Sequence, residues 1–273
     1  MAPWGEKVVV VTGGSAGLGL AIAERFARAG SQVVMVGRDA ERLRHAADNL
    51  ATNVDKRPVG IAADVTQQCD VESLFAQVHD QFGQLDVLVN NAGRSSRGAV
   101  LDTTVDDFAE LLDVNFLSVV HCTRAAAEML LQSRGHLVNI GSLAAKQASR
   151  YLGAYPVSKF AVAAYTHQLR LELSDHGLHV LLVCPGPIER PDAGNRYDSA
   201  AAGLPESAKQ PGGGVKLKRI APEKLAAEIL RACERRQPEL VVPAKARWLF
   251  AISQLWPAWG DWILSKKTKE HTP

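Results

Sequence analysis

Tyr155 and Lys159 stand four residues apart in the segment Y-P-V-S-K. Positions i and i+4 share one face of a helix, so the ammonium can lie beside the phenol. A free phenol has a pKa of about 10 and exchanges protons poorly at neutral pH. A neighbouring cation favours the phenolate and moves that ionisation toward the working range. The spacing therefore predicts a tuned proton carrier. It equally fits a half-buried Tyr beside a solvated Lys, and the residues around the pair must decide.

Upstream, residues 12–19 read T-G-G-S-A-G-L-G, after the apolar run 8–11 and before a helical repeat of Leu18, Ile22 and Phe26. A glycine turn between a strand and a helix is the setting of a dinucleotide fingerprint. Gly13, Gly17 and Gly19 would let the backbone approach a pyrophosphate, with Thr12, Ser15, Ala16 and Leu18 completing the turn. The helix N-terminus supplies N–H donors and positive potential to the anion. Close helix–sheet packing alone would also require such glycines. The stretch G13-x-S15-x-G17 also has the form of a hydrolase nucleophile elbow. An elbow needs an oxyanion donor from an earlier strand–helix connection, and no strand precedes this one. His136 and His179 fall at strand starts, the wrong end for a base.

The next strand ends in V-G37-R38-D39. An acid there accepts from a ribose 2′-hydroxyl, whereas Arg pairs with a 2′-phosphate. Gly37 occupies the acid's place and Arg38 follows, which favours NADP(H) and leaves NAD(H) as the alternative. Asp39 suits the N-cap of the following helix. Arg38 could otherwise be a solvated loop cation.

These residues need a scaffold. Apolar runs at 8–11, 32–36, 61–64, 87–90, 137–140, 180–184 and 240–242 alternate with helical patterns. The helices are expected near 40–50, 71–82, 105–115, 117–133, 155–176 and 222–233. The alternation predicts an α/β fold: a Rossmann-like, doubly wound parallel sheet in three α/β/α layers. Residues 187–220, rich in Pro, Gly, Ala and Ser, form a long loop after a strand's carboxyl end, where a substrate lid is expected. The chain has 273 residues, 47% hydrophobic and 22% charged, which suits a globular protein. Its net charge of +2 gives no field for nucleic acid. Cys69, Cys122, Cys184 and Cys233 form no C-x-x-C, so no metal site is expected. The chain's start passes directly into the first strand, and the expected location is cytoplasmic.

Taken together, these motifs resemble the short-chain dehydrogenase/reductase family in its single-domain form, from about residue 7 to 242. The glycine turn matches T-G-x-x-x-G-x-G. Asp64-Val65 matches the pair that contacts adenine, and Asn90-Asn91-Ala92-Gly93 matches the N-N-A-G beside the cofactor. Asn115, Ser142, Tyr155 with Lys159, and Pro185-Gly186 match further family positions. The resemblance implies a catalytic set of Asn115, Ser142, Tyr155 and Lys159. Tyr155 would move the proton, and Lys159 would lower its pKa and hold the nicotinamide ribose. Ser142 would orient the substrate oxygen, and Asn115 would position a relay water. Arg190 stands where the family often has Thr, which shifts nicotinamide anchoring toward the backbone near Ile188. Pro156 must lie in the first turn of its helix, since it lacks an N–H.

The expected activity is NADP(H)-dependent interconversion of a carbonyl and a secondary alcohol by a homodimer or homotetramer. A non-catalytic cofactor-binding protein and a Ser15 hydrolase are the alternatives. Residues 1–243 would form the catalytic domain and 244–273 a Trp-rich extension. In the latter Trp248, Ile252, Leu255, Trp259 and Trp262 recur on one helical face, Pro257 divides the run, and Lys245, Arg247, Lys266 and Lys267 flank it. Such a stripe suits packing on the body or a partner subunit, or peripheral membrane contact through 248–264. Either would border the substrate mouth and favour lipophilic substrates.

Overall fold

The computed structural model describes residues 4–190, 197, 201, 203–210, 212 and 218–268, with side chains through 266. It opens with β1 (Val8–Thr12), α1 (Gly17–Arg28), β2 (Gln32–Gly37), α2 (Ala40–Ala51), β3 (Val59–Ala62), α3 (Gln68–Phe82) and β4 (Val87–Asn90). Then come α4 (Val105–Leu112), α5 (Ser118–Gln132), β5 (His136–Ile140), α6 (Tyr155–Leu173) and β6 (His179–Pro185). The chain continues through α7 (Glu206–Lys209), α8 (Pro222–Glu234), β7 (Glu239–Val242), α9 (Ala246–Leu255) and α10 (Pro257–Thr268). The strands form one parallel sheet in the order β3-β2-β1-β4-β5-β6-β7. Parallel strands need crossovers, and the helices that supply them cover both faces. That is why β1, β4 and β6 are buried at every position. Leu18, Ile22 and Phe26 seat α1 on one face beside α8, while Leu74, Val78 and Leu130 of α3 and α5 cover the other. The strand order reverses between β1 and β4, which opens a crevice at the carboxyl edge.

Several boundaries differ from the sequence expectation, among them the start of α3, at Gln68 and not 71. β3 lies two residues earlier, at Val59–Ala62, because Asp64 is taken by a turn: its Oδ1 accepts from Thr66 N at 3.0 Å and Thr66 Oγ1 at 2.8 Å. α6 ends at Leu173, and Ser174–His176 adds one tighter turn closed by the left-handed Gly177. The helices expected at 105–115 and 117–133 are continuous. They join through a π-helical turn, Asp113–Leu117, so Asn115 is an interior residue and not a helix C-terminal one.

Pro257 divides the C-terminal run into α9 and α10. Gly260 lets α10 cross close over α9: a Cβ there would lie 2.2 Å from Ser253 Oγ. On the inner side, Ala246 and Phe250 pack against the cluster of Val119, Val162, Leu182 and Cys184.

His136 and His179 are register partners at the amino edge of the sheet, as their sequence positions predicted. Their Nδ1 atoms lie 2.8 Å apart, and His179 Nε2 faces Gln237 O at 2.8 Å. His179 therefore donates from Nε2 and accepts at Nδ1 from His136. Cys233 Sγ completes a trio with metal-ligand composition. However, the two rings satisfy each other, and Arg236 adds positive charge at both of them. We read the trio as a neutral hydrogen-bonded pair beside a buried thiol. Burial holds the His136 ring down at about 3, aided by His179, Arg236 and Lys7. Between pH 6.5 and 3 the unfolded chain binds the proton that the fold refuses, so stability falls as pH falls through that window, by up to about 1.4 kcal/mol per unit. Replacing His136 with Asn should flatten the pH dependence of the urea midpoint across this range by about one proton. An unchanged slope would contradict the buried neutral pair.

Candidate active site

The turn after β1 is shaped for an anion. Gly13 and Gly17 have φ of 64° and 54°, a region that glycine enters without cost. A Cβ on Gly19 would fall 2.1 Å from Gly13 O, whereas one on Gly17 would meet nothing within 4 Å. Ala16 supplies no side-chain cap to α1, and the first turn carries no acid. The first N–H groups of α1 thus face open space with the positive end of the helix dipole behind them. This cradle fits a pyrophosphate. Thr12 and Asn91 serve the frame around it. Thr12 Oγ1 accepts from Asn91 N at 2.9 Å and Ala92 N at 3.0 Å, and Asn91 Nδ2 donates to Thr12 O at 2.9 Å. These bonds lock the two strand ends on either side of the crevice.

Arg38 is exposed at the end of β2 and makes no ion pair among the described residues. Asp39 caps α2, accepting from Arg42 N at 2.9 Å, so its carboxylate is committed. Asp64 and Val65 follow β3 at the same edge, both half-buried.

Ser142, Tyr155 and Lys159 meet on the other side of the crevice. Ser142 follows β5; its Oγ accepts from Ala144 N at 3.1 Å and it hydrogen-bonds Tyr155. Tyr155 opens α6, with Pro156 in the first turn as expected. Lys159 is buried, and its Nζ donates to Ile140 O at 2.8 Å. Asn115 is fully buried: Nδ2 donates to Arg94 O and Ser158 Oγ at 2.8 and 2.9 Å, and Oδ1 accepts from Arg94 N at 2.8 Å. A Cβ on Gly93 would lie 2.8 Å from Asn115 Oδ1 and 3.7 Å from Lys159 Nζ, so glycine is what lets these groups converge.

The electrostatics differ from those that spacing suggests. Burial pushes the Tyr155 hydroxyl up, against the hydrogen bond from Ser142, and the cations that act on it are Arg97 and Arg190. Lys159 is brought down to about 8 by burial, and its ammonium is spent on the β5 carbonyl. Lys159 is not among the charges that act on Tyr155, because its Nζ is held at the Ile140 carbonyl under the strand end.

The cleft encloses about 460 Å³. Pro185, Gly186 and Ile188 form one edge. Ile188 bridges to Ile220, Glu189 N donates to Ile220 O at 2.9 Å, and Ile220 N to Pro187 O at 2.8 Å. The base of the 187–220 loop is thereby pinned. Residues 191–196, 198–200, 202, 211 and 213–217 of the expected lid lie outside the described residues. Sequence reasoning missed Arg97, which lies in the loop after β4. Its Nε donates to Ala208 O at 2.7 Å and its Nη2 to Gln210 O at 3.2 Å, while the guanidinium stacks on Tyr197. It also missed Ser158, whose signal was the S in Y-P-V-S-K. The outer wall comes from the C-terminal helices through Leu249, Phe250 and Leu264.

A parallel doubly wound sheet with an anion cradle and a Ser–Tyr–Lys group in the facing cleft defines a dinucleotide-dependent enzyme class. A family model described as short chain dehydrogenase matches residues 7–200. The dehydrogenase/reductase SDR family member 7B of Danio rerio is 30% identical over 276 residues, 98% of this chain and 87% of that protein. An uncharacterised oxidoreductase of Staphylococcus epidermidis is 35% identical over 192 residues, 70% of this chain and 82% of that protein. The structure of L-sorbose reductase from Gluconobacter frateurii, complexed with NADPH and L-sorbose, superposes with a TM-score of 0.74 at 27% identity. That match covers 86% of this chain and 94% of the reductase. The chain belongs to the short-chain dehydrogenase family and is an oxidoreductase.

A buried ammonium carries a cost that the site retains. Lys159 at about 8 means that the fold disfavours its charge below that pH. Stability therefore rises as pH climbs from about 8 to 10.5, where the unfolded chain also loses the proton. Lys159→Met should stabilise the protein at pH 7 by about 1–3 kcal/mol while removing turnover, with the advantage vanishing near pH 10.5. Calorimetry at pH 7 and 10.5 checks this; a variant less stable at pH 7 would show that the charge is well solvated.

Proposed function

We propose that this protein is an NADP(H)-dependent oxidoreductase that interconverts a carbonyl and a secondary alcohol on a lipophilic substrate. The observation that carries this reading is the convergence of Ser142, Tyr155 and Lys159 across the crevice from the open N-terminus of α1. Thr12, Gly13, Ser15, Ala16, Gly17, Leu18 and Gly19 would hold the pyrophosphate, and Asp64 and Val65 the adenine. Asn91, Ala92, Gly93, Pro185, Gly186 and Ile188 would border the nicotinamide. Arg38, exposed and without an ion-pair partner among the described residues, favours a 2′-phosphate, and L-sorbose reductase is described with NADPH.

When bound, a nicotinamide would supply the hydride chemistry, its reduced form giving hydride to a carbonyl carbon and its oxidised form accepting hydride from the carbinol carbon. In reduction, Tyr155 gives its hydroxyl proton to the substrate oxygen, and in oxidation it takes that proton up. Its raised pKa keeps the donor protonated at neutral pH. Ser142 orients the Tyr155 hydroxyl and the substrate oxygen. Lys159 holds a positive charge under the strand end beside the ribose site. Asn115 and Ser158 hold the mouth of α6 against the loop after β4, which keeps the proton carrier in register. Leu249, Phe250 and Leu264 give the cleft an apolar wall, which favours a lipophilic substrate. Residues 1–243 act as the catalytic domain in the cytoplasm. Exposed Val157, Phe160 and Leu171 on α6 supply an apolar face for a homodimer or homotetramer.

The hydrolase reading of Ser15 finds no support in the geometry: no histidine lines the cleft among the described residues. Two comparisons test the assignment. Tyr155→Phe should lower carbonyl-dependent NADPH oxidation at least a thousandfold while leaving NADPH binding, read by fluorescence, within a few-fold. Ser15→Ala should weaken cofactor binding but leave turnover at saturating NADPH. An esterase activity lost in Ser15→Ala and kept in Tyr155→Phe would overturn the redox reading.

Arg38→Ala should raise the KM for NADPH by about tenfold to a hundredfold, the scale of a charge-assisted phosphate contact, with little change for NADH. A wild-type preference for NADH would reject the assignment.

A further inference from the structure

The C-terminal hairpin has two faces with different company. Inward, Leu249, Phe250 and Leu264 wall the cleft. Outward, Trp248, Leu255, Trp256, Trp259 and Trp262 are 57–76% exposed. The stripe expected from sequence is thus uncovered by the body of this chain, and Ile252 alone of its members is half-buried. Four of the five tryptophans of the chain are in this patch.

Its composition favours one kind of occupant. Indole rings are enriched both at the boundary between water and lipid and at protein interfaces, so the choice between the two falls to the charges around the patch. Lys245 and Arg247 stand at the start of α9 and Lys266 near the end of α10, with Asp261 the sole acid across 245–266. Lys266 Nζ lies 4.1 Å from the ring centre of Trp262, so the cation sits at the rim of the aromatic patch. No helix among the described residues is long and apolar enough to cross a membrane, and α9 and α10 have 10 and 12 residues. Short helices with tryptophans outward and cations at their ends suit a position parallel to an anionic surface.

We propose that the α9–α10 hairpin rests on an anionic lipid surface and that an apolar substrate passes from that surface into the cleft along Leu249, Phe250 and Leu264. The docking stands on the hairpin alone; the substrate route rests on the function proposed above. The same two helices are then the contact with the lipid and the wall of the site. A substrate with a long hydrocarbon portion crosses between them with little exposure to water.

The test uses the full chain with vesicles of phosphatidylcholine and phosphatidylglycerol, and vesicles of phosphatidylcholine alone. Anionic vesicles should blue-shift the intrinsic tryptophan emission and co-sediment the protein, with binding weakened by salt. The exposed double variant Trp259→Ser/Trp262→Ser, and separately Lys266→Glu, should each lower vesicle affinity at least tenfold. Turnover of a short, water-soluble ketone should be unchanged in both. Turnover of a long-chain ketone supplied in the vesicles should fall in both. Absence of vesicle binding by the wild type overturns the docking. So does a dimer lost in the Trp259→Ser/Trp262→Ser variant without vesicle binding, which would assign the patch to a second copy of the chain. Vesicle binding with unchanged long-chain turnover in the variants overturns the substrate route. Failure of the wild type to turn over any ketone, with vesicle binding intact, rejects the enzymatic reading and leaves the docking standing.

Discussion

The side-chain amide of Asn115 is the tie on which the site's geometry depends. It accepts from Arg94 N, donates to Arg94 O and donates to Ser158 Oγ, which in turn donates to Tyr155 O at 2.8 Å. Three segments far apart in sequence meet there: the loop after β4, the helix α4–α5 and the mouth of α6. A buried amide left without such partners costs about 1–3 kcal/mol, so the arrangement is enforced as well as favoured. The π-helical turn inserts this side chain into a helix that would otherwise run straight past the loop. π-turns recur at functional sites for this reason. Lys159 is placed beneath the same junction by its bond to Ile140 O, so Tyr155 and the buried Lys159 share one foundation.

Much of the scaffold was legible because the elements are locally consistent. Parallel strands buried on both faces leave runs such as V-V-V-V, and helices between them keep a 3.6-residue stripe. Tyr155 and Lys159 were legible from their spacing and Ser142 only from the family resemblance; the sheet order brings the three to one cleft. The π-turn was invisible, since nothing in D-V-N-F-L distinguishes it from an ordinary helical turn. Its cause is the tertiary contact of Asn115 with Arg94. Likewise β3 is an edge strand, and a side-chain turn at Asp64 set its end, a choice that periodicity does not carry.

Charge was read less well than position. Four-residue spacing places two side chains on one face but says nothing of where a long chain points. Lys159 extends under the strand end and Tyr155 toward the cleft, and each is governed by its own burial. Arg97 and Arg190 act on the phenol from loops whose sequences announce no such role. The C-terminal segment was legible in composition, while its division between an inner and an outer surface required the crossing of α10 over α9 at Gly260.

Arg97 holds the segment between β6 and α8 through the carbonyl oxygens of Ala208 and Gln210, which every residue type provides, and stacks on the ring of Tyr197. At 208 and 210 the grip is therefore indifferent to the side chain, whereas at Tyr197 it depends on the ring. Substitution at 208 or 210 would leave the two carbonyl bonds in place, while loss of the ring at 197 would remove the stacking partner.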